Sequence, residues 1–435
     1  MSLAANLRHS ILTRRARVAV VGQGYVGLSL ACAAADSGFV TSGIDVDAVR
    51  IASLDAGELC VPGVDEETFR RGIASGRLTF SIDGESLADS DIICICVPTP
   101  VRDHTPDLSY VEQACRDVAE HLRAGRLVIL ESSTYPGTTS ELVGPLLETS
   151  GLRAGEDFLL AYSPERIDPG NQEFNLANTP RIVGGTTAEA TAVAATFYEQ
   201  MISKVVTLSS ARAAELAKLL ENTFRHVNIA LVNEMAMLCH EMGIDVWEVI
   251  EAAATKPFGF MAFTPGPGVG GHCIPLDPAY LAWQVRRDVG HQFRILEQAQ
   301  DINAQMPGWV AARISEALNE QSKPLKRARV LVLGVAYKPD VGDIRESPSL
   351  RVMSVLERRG VDLAFHDPFV DAVEVNGKRL QRAELTEEAV AAADLVAVLT
   401  PHSGYDLDWL ARTAVLVFDA RNALGPSQPP NVVRL

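Results

Sequence analysis

Short apolar runs alternate with helical stretches from Arg17 onward. In RVAVVGQGYVG, Val18–Val21 reads as a strand running into Gly22, Gly24 and Gly27; a helix follows with Gly38 near its end, and a second strand closes on Asp45. DIICICV (91–97), LVILES (127–132) and FLLAY (158–162) continue the series, with helix-like segments such as 108–122 between them. Strands alternating with helices predict a parallel sheet. These later strands end in Pro98-Thr99-Pro100, Ser132-Ser133-Thr134 and Ser163-Pro164-Glu165. Open parallel sheets bind ligands outside the carboxyl ends of their strands, so the three loops are expected to face one crevice. Thr99 and Thr134, each taken alone, are explained equally well as turn formers. Together they favour a cofactor wall.

No glycine or proline interrupts SSARAAELAKLLENTFRHVNIALVNEMAMLCHEM, 209–242, which predicts one helix on the order of 50 Å long at about 1.5 Å per residue. Apolar residues nearly encircle it, so burial on most sides is expected, between domains or between subunits. Lys218, Asn222 and Arg225 share one stripe at i, i+4 and i+7. Such a trio ordinarily marks a solvated face. Here Ala217, Leu219, Leu220 and Phe224 flank it, and a buried ammonium without a task is expensive, which favours function. From Arg329 the early pattern returns in RVLVLGVAYKPDVGDIRESPSLRVMSVLERRGVDLAFHDP, again strand, glycine, helix and a strand ending on an acid, Asp367. The glycine triplet is replaced by Lys338, Asp343 and Arg345, which predicts a phosphorylated ligand held by side-chain cations. LVAVLT (395–400) and AVLVFDARN (414–422) supply later strands of that sheet. The fold class expected is α/β: two Rossmann-like doubly wound domains, 1–205 and 326–435, joined by a central helical domain, 206–325, with a cleft between the halves.

Composition changes this picture little. At 435 residues, and about 150 per domain, roughly three units are expected. No apolar run approaches the ~18 residues of a membrane span. MSLAANLRHSILTRRAR lacks the apolar centre of a secretion signal and reads as a short basic tail. A formal net charge of −16 argues against a nucleic-acid partner, though a few placed cations suffice for one small anion. Seven cysteines scattered without disulfide or metal spacing suit a reducing cytoplasm. Cys94 and Cys96 alternate along a strand and are expected in the core. The nine histidines form no zinc-spaced cluster, so no metal is expected.

A GxGxxG alone is a weak signal. GQGYVG at 22–27 follows a strand, opens a helix and precedes Asp45 by 18 positions beyond Gly27, which makes it a strong one. Gly22, Gly24 and Gly27 let the backbone approach a pyrophosphate at the helix N-terminus, and Asp45 accepts hydrogen bonds from ribose hydroxyls. A carboxylate there repels a 2′-phosphate, so NAD is expected over NADP; Arg50 stands close enough in sequence to bear on that choice.

This set resembles the UDP-glucose/GDP-mannose dehydrogenase family, over nearly the whole chain from Val18 to about Asn422. The motifs that carry the resemblance are GQGYVG (22–27), VPTP (97–100), ESSTYPGTT (131–139), YSPERIDPGN (162–171), AKLLENTFR (217–225), GGHCIPLD (270–277) and GVAYKPDVGDIRESPS (334–349). It implies Cys273 as nucleophile with Lys218, Asn222 and Asp277 as partners, Glu165 as acid–base carboxylate, and Thr134 positioning a catalytic water. Gly22, Gly24, Gly27, Asp45, Arg50, Thr99, Thr134 and Arg345 fall on the NAD side. Glu165, Arg166, Lys218, Asn222, Arg225, Gly270 and Lys338 fall on the side of a UDP-sugar. The segments TKPFGFMAFTPGPGVGGHC (255–273) and YSPERIDPGN, with His272 where glucose-specific members carry Ser, look most like the branch acting on UDP-N-acetyl-D-glucosamine. The mannosamine and galactosamine isomers, and UDP-glucose, are the alternatives. A cytoplasmic homodimer along the long helix and a role in polysaccharide assembly are further implications.

The chemistry explains why a thiol accompanies NAD. A free aldehyde has no second hydride to give until a nucleophile adds to its carbonyl; a thiolate does so, and loss of hydride from the thiohemiacetal leaves a thioester that water hydrolyses. Gly270 and Gly271 would let the backbone approach the sugar C6. Lys218 and Asn222 suit an oxyanion, and a nearby ammonium favours the thiolate. The plain alternatives are a buried structural Cys273 in a two-electron dehydrogenase, a capping Ser163 ahead of Glu165, an Asp277 that caps a helix beginning near Pro278, and a non-catalytic nucleotide-sugar sensor.

Overall fold

The computed structural model describes residues 3–102, 105–167, 173–271, 273–426 and 429–435, leaving aside the side chains of 273, 275 and 276. Packing divides the chain into two compact units, Met1–Glu221 with Ala279–Gln284 and Asn222–Pro278 with Val285–Leu435, so all three breaks fall inside helices.

The first unit holds an eight-stranded sheet of β1 (Arg17–Val21), β2 (Val40–Ile44), β3 (Leu78–Ser81), β4 (Ile92–Ile95), β5 (Leu127–Leu130), β6 (Leu159–Tyr162), β7 (Arg181–Gly185) and β8 (Val205–Thr207), in the order β8-β7-β6-β5-β4-β1-β2-β3. The run β3-β2-β1-β4-β5-β6 is parallel and has the strand order of dinucleotide-binding sheets. β4, β5 and β6 are buried at every position, which is why they read as continuous apolar runs rather than alternating ones. Cys94 and Cys96 are buried among them. β7 pairs antiparallel with β6, setting Gly184 opposite Tyr162, and β8 follows β7 in parallel.

The N-terminal segment is not the basic tail its composition suggests. Leu3–Leu12 forms helix α1, which buries Leu7 and Ile11 in the core of this unit. Arg14 behind it donates to the Ser37 carbonyl at 2.7 Å and lies 5.0 Å from the Phe39 ring centroid. The apolar spacing of positions 3, 7 and 11 was the signal available in the sequence.

Helix α2 (Tyr25–Asp36) follows β1, and α3 (Ala211–Met242) is the long helix. Within this one chain α3 is buried along one face. Leu216, Leu220, Phe224, Leu231, Leu238 and Met242 are exposed, whereas Glu215, Lys218, Thr223, His226 and Asn233 are buried. The second unit continues with α4 (Val246–Ala254), α5 (Cys273–Asp288, which enters both units), α6 (Arg294–Glu320) and a parallel sheet of β9 (Arg329–Leu333), β10 (Asp362–His366), β11 (Leu395–Val398), β12 (Val417–Asp419) and β13 (Val432–Arg434). Its order, β10-β9-β11-β12-β13, is the other common doubly wound arrangement. Helix α7 (Pro348–Arg358) packs Val352, Met353 and Leu356 into a core with Met306, Val310 and Ile314 of α6. Among the described residues no helix is long and apolar enough to cross a membrane.

Candidate active site

The glycine loop after β1 divides its labour. Gly22 has φ +94°, and a β-carbon there would lie 2.8 Å from the Cys96 carbonyl oxygen; one at Gly27 would lie 1.8 Å from the carbonyl oxygen of Gly22. Those two glycines let strand, loop and helix close on each other. At Gly24 nothing lies within 4 Å, so the backbone faces open space that a pyrophosphate can enter. Asp45, just past β2, accepts from the Gln23 N–H at 2.7 Å, the Asp47 N–H at 2.9 Å and Arg50 Nη1 at 2.9 Å. Arg50 also approaches Asp47 at 3.4 Å. Its charge is thus met by two carboxylates, and the site lacks the surplus positive charge that a 2′-phosphate requires. The residues fit NAD.

The loops at the carboxyl ends of β4, β5 and β6 are tied together within the first unit. Tyr280 of α5 donates its hydroxyl to the Thr99 carbonyl at 2.9 Å, and Trp283 packs on Tyr135 with ring centroids 5.1 Å apart. Thr134 is buried and donates to Thr138 Oγ1 at 2.6 Å; Thr138 in turn donates to the Tyr135 carbonyl, so the lone pairs of Thr134 are left to accept. Glu215 of α3 holds the next turn through the N–H of Gly137 and the N–H and hydroxyl of Thr139, at 2.6, 2.8 and 2.6 Å. Burial pushes its carboxyl above the ordinary range. One turn along α3, the buried Lys218 donates from Nζ to the Glu165 carbonyl at 2.8 Å. Arg166 bonds Glu221 Oε1 at 2.7 Å and the Pro180 carbonyl at 2.6 Å, which fixes the loop beside Glu165.

In the second unit Asn222 donates its amide to the Asp277 carboxylate, in the helix that Cys273 opens. That helix starts earlier than a cap at Asp277 requires; Pro278 lies inside it. Arg225, on the same stripe of α3, is exposed. A buried amide chain supports the loop ahead of Cys273: Gly266 N–H donates to Asn233 Oδ1 at 3.0 Å, Asn233 Nδ2 to Asn303 Oδ1 at 2.9 Å, and Asn303 Nδ2 to the His226 carbonyl at 3.2 Å. A β-carbon at Gly270 would lie 2.7 Å from Pro348 Cδ and 2.8 Å from Tyr337 Cβ, so packing inside this unit alone already demands glycine there. The Gly271 N–H donates to the Arg345 carbonyl at 3.1 Å, which joins this loop to the segment bearing Lys338 and Arg345. Lys338 is half-buried; Arg345 is exposed and pairs with Asp343 at 2.6 Å. His272, the side chain of Cys273 and residues 168–171 of YSPERIDPGN lie outside the described residues. Among the described residues no cluster of His, Cys, Asp and Glu suits a metal ion.

Three family models match in order: the NAD binding domain of the UDP-glucose/GDP-mannose dehydrogenase family over 16–202, its central domain over 212–305 and its UDP binding domain over 331–426. The chain belongs to that family. This dehydrogenase is therefore an NAD-dependent oxidoreductase of nucleotide sugars. It is 36% identical over 421 residues to the UDP-N-acetyl-D-mannosamine dehydrogenase of Pyrococcus horikoshii, covering 95% of this chain and 97% of that protein. It is 35% identical over 394 residues to the UDP-N-acetyl-D-glucosamine 6-dehydrogenase of Pseudomonas aeruginosa, covering 90% and 88%. The solved structure of the Pyrococcus horikoshii UDP-D-ManNAc dehydrogenase superposes on the dehydrogenase with a TM-score of 0.87 at 35% identity, covering 96% and 98%. Glu131, Arg181, Glu215 and His226 of the dehydrogenase were not singled out from its sequence. Buried acids in apolar helices and at strand ends were visible there, but not their partners.

Proposed function

We propose that this chain oxidises the C6 hydroxymethyl group of UDP-N-acetyl-D-glucosamine to the carboxylate, in two oxidations joined by a covalent intermediate on Cys273. The observation that carries the reading is the amide of Asn222 seated on Asp277 in the first turns of the helix that Cys273 opens, with Lys218 buried one turn earlier on α3. A helix N-terminus favours a thiolate. NAD, when bound, is the hydride acceptor for both oxidations.

In the first step the alcohol loses its hydroxyl proton to a base and a hydride from C6, giving the aldehyde. The Cys273 thiolate then adds to the carbonyl carbon. Lys218 and Asn222 donate to the oxyanion, a contribution of roughly 3–4 kcal/mol per donor in sites of this kind. Loss of the second hydride leaves the thioester. Water held by Thr134 gives a proton to Glu165 as its oxygen attacks, and the thiolate departs, leaving the uronate. Lys338 and Arg225 would hold the nucleotide sugar, with Arg166 keeping the Glu165 loop in place.

A panel of UDP-sugars and GDP-mannose, scored for NADH and for product charge, tests this. Two NADH and one new carboxylate per UDP-N-acetylhexosamine are expected, and Cys273→Ala should abolish turnover. One NADH with an accumulating aldehyde would end the covalent scheme, and no NADH with any sugar would revive a sensor. The 36% identity to a protein named for UDP-N-acetyl-D-mannosamine favours that epimer as the second reading, and the same panel separates the two. The exposed apolar stripe of α3 supports a homodimer along that helix. The scattered thiols suit a cytoplasmic enzyme, and the family resemblance a role in polysaccharide assembly.

A further inference from the structure

Glu165 stands on a loop, and a carboxylate on a loop keeps its aim only if something rigid stands behind it. The reversed direction of β7 supplies that support. Because β7 runs against β6, its first residue arrives where β4, β5 and β6 deliver their carboxyl ends. Continuing the pairing of Tyr162 with Gly184 sets residue 165 opposite residue 181. Arg181, 3% exposed, uses every side of its guanidinium there. Nη1 donates to Glu165 Oε2 at 2.7 Å, Nη2 to Glu131 Oε2 and to the Ser163 carbonyl, and Nε to Ser163 Oγ at 2.9 Å.

The fork is itself anchored. Glu131, buried just past β5, also accepts the Tyr198 hydroxyl at 2.5 Å, and the Arg181 guanidinium lies 4.5 Å from the Tyr198 ring centroid. From the other side, Glu165 Oε1 accepts the N–H groups of Arg166 and Ile167 at 2.6 and 2.8 Å. The Lys218 ammonium holds the Glu165 backbone carbonyl, while both carboxylates share the one guanidinium of Arg181. Cys94 and Cys96 also face the group; burial pushes both thiols well up, so they stay neutral. Burial raises the Glu131 carboxyl, while against burial the two carboxylates keep Arg181 charged. Well-packed apolar residues often replace a buried ion network without loss of stability, so stability alone is a weak reason for this one.

We propose that Arg181, seated on Glu131 and Tyr198, is a positioning residue that holds the Glu165 carboxylate in the orientation in which it takes a proton from the water hydrolysing the Cys273 thioester. This rests on the role given to Glu165 above.

The test compares the full-length wild type with Arg181→Lys, Glu165→Gln and the double variant. Each is given NAD and whichever of UDP-N-acetyl-D-glucosamine and UDP-N-acetyl-D-mannosamine the wild type oxidises. Lysine keeps the charge but cannot span Glu131, Ser163 and Glu165 at once. Arg181→Lys should lower kcat about 100-fold, the usual scale for a misplaced catalytic group. kcat/KM for both substrates should stay within about threefold, KM falling along with kcat, and the sugar–Cys273 thioester should accumulate by mass analysis, because a purely hydrolytic defect slows only the step after both oxidations. The double variant should be no slower than Glu165→Gln, because the two residues act as one unit. Wild-type kcat in Arg181→Lys, or a loss that multiplies with that of Glu165→Gln, overturns the proposal and leaves Glu165 its role. Wild-type turnover in Glu165→Gln removes that role and the proposal together. If Arg181→Lys does not fold, Tyr198→Phe takes its place, with an expected fall of about 3–10-fold in kcat from one lost hydrogen bond. That fall should vanish on a Glu165→Gln background, and no fall at all overturns the proposal.

Discussion

Pro278 lacks the N–H that would bond the Ile274 carbonyl four residues back, so the ordinary helical bond to that acceptor on the first turn of α5 is missing. The buried His226 imidazole faces that Ile274 backbone, and Asn303 lies on the ring's other side at 3.4 Å from Nε2. Burial pushes the imidazole from its ordinary 6.5 down to about 4. The folded protein therefore binds fewer protons than the unfolded chain between those two values, and this group contributes no pH dependence above them. Stability should fall as pH drops from 6.5 to about 4, by about 1.4 kcal/mol per unit and on the order of 3 kcal/mol in all. Urea unfolding at pH 7, 5.5 and 4.5 should show that His226→Gln loses this part of the decline; parallel curves for variant and wild type would refute the assignment. The sequence announced the proline and the histidine. It gave no sign that the two lie beside each other.

The two sheets repeat one device at the ends of their second strands, and only the first leaves it available to a ligand. Asp45 receives two backbone N–H groups and Arg50 at the edge of an open glycine loop. Asp367 is buried and receives the N–H groups of Val335, Ala336 and Phe369 at 2.8, 3.2 and 2.9 Å, with His402 Nε2 at 3.0 Å. Burial pushes that carboxyl up, yet these bonds hold it below the ordinary range. Four donors on two oxygens leave no place for a ribose. A glycine followed by a strand ending on an acid was legible in both halves, as was the missing triplet in the second; His402, arriving from beyond β11, was not. Asp367→Ala orphans buried donors and should destabilise the protein by about 3–5 kcal/mol in denaturant unfolding. In protein that remains folded, the KM for NAD should be unchanged; a selective rise in that KM would mean that Asp367 serves the cofactor after all.

Across the whole molecule α3 inverts the usual amphipathic rule. Leu220 is 63% exposed in an apolar stripe with spacings of four and seven residues, while a glutamate, a lysine, a histidine and an asparagine of the same helix are buried. Each such side chain gains about 1.5–3 kcal/mol when fully buried, which a second copy along the helix would supply. Leu220→Glu should turn the proposed dimer into a monomer by light scattering; a wild type that is already monomeric at micromolar concentration would remove this reading. The sequence by itself determined the strand runs, the glycine turn with its acid, the long helix and the family, because each depends on residues within a few turns of one another or on motif order. Tertiary structure decided which buried charge meets which: Arg181 reaches Glu165 and Glu131 from 16 and 50 residues away. Their meeting depends on β7 entering the sheet backwards. Strand direction is set by how the sheet closes over its core, and no local pattern of polar and apolar residues records it.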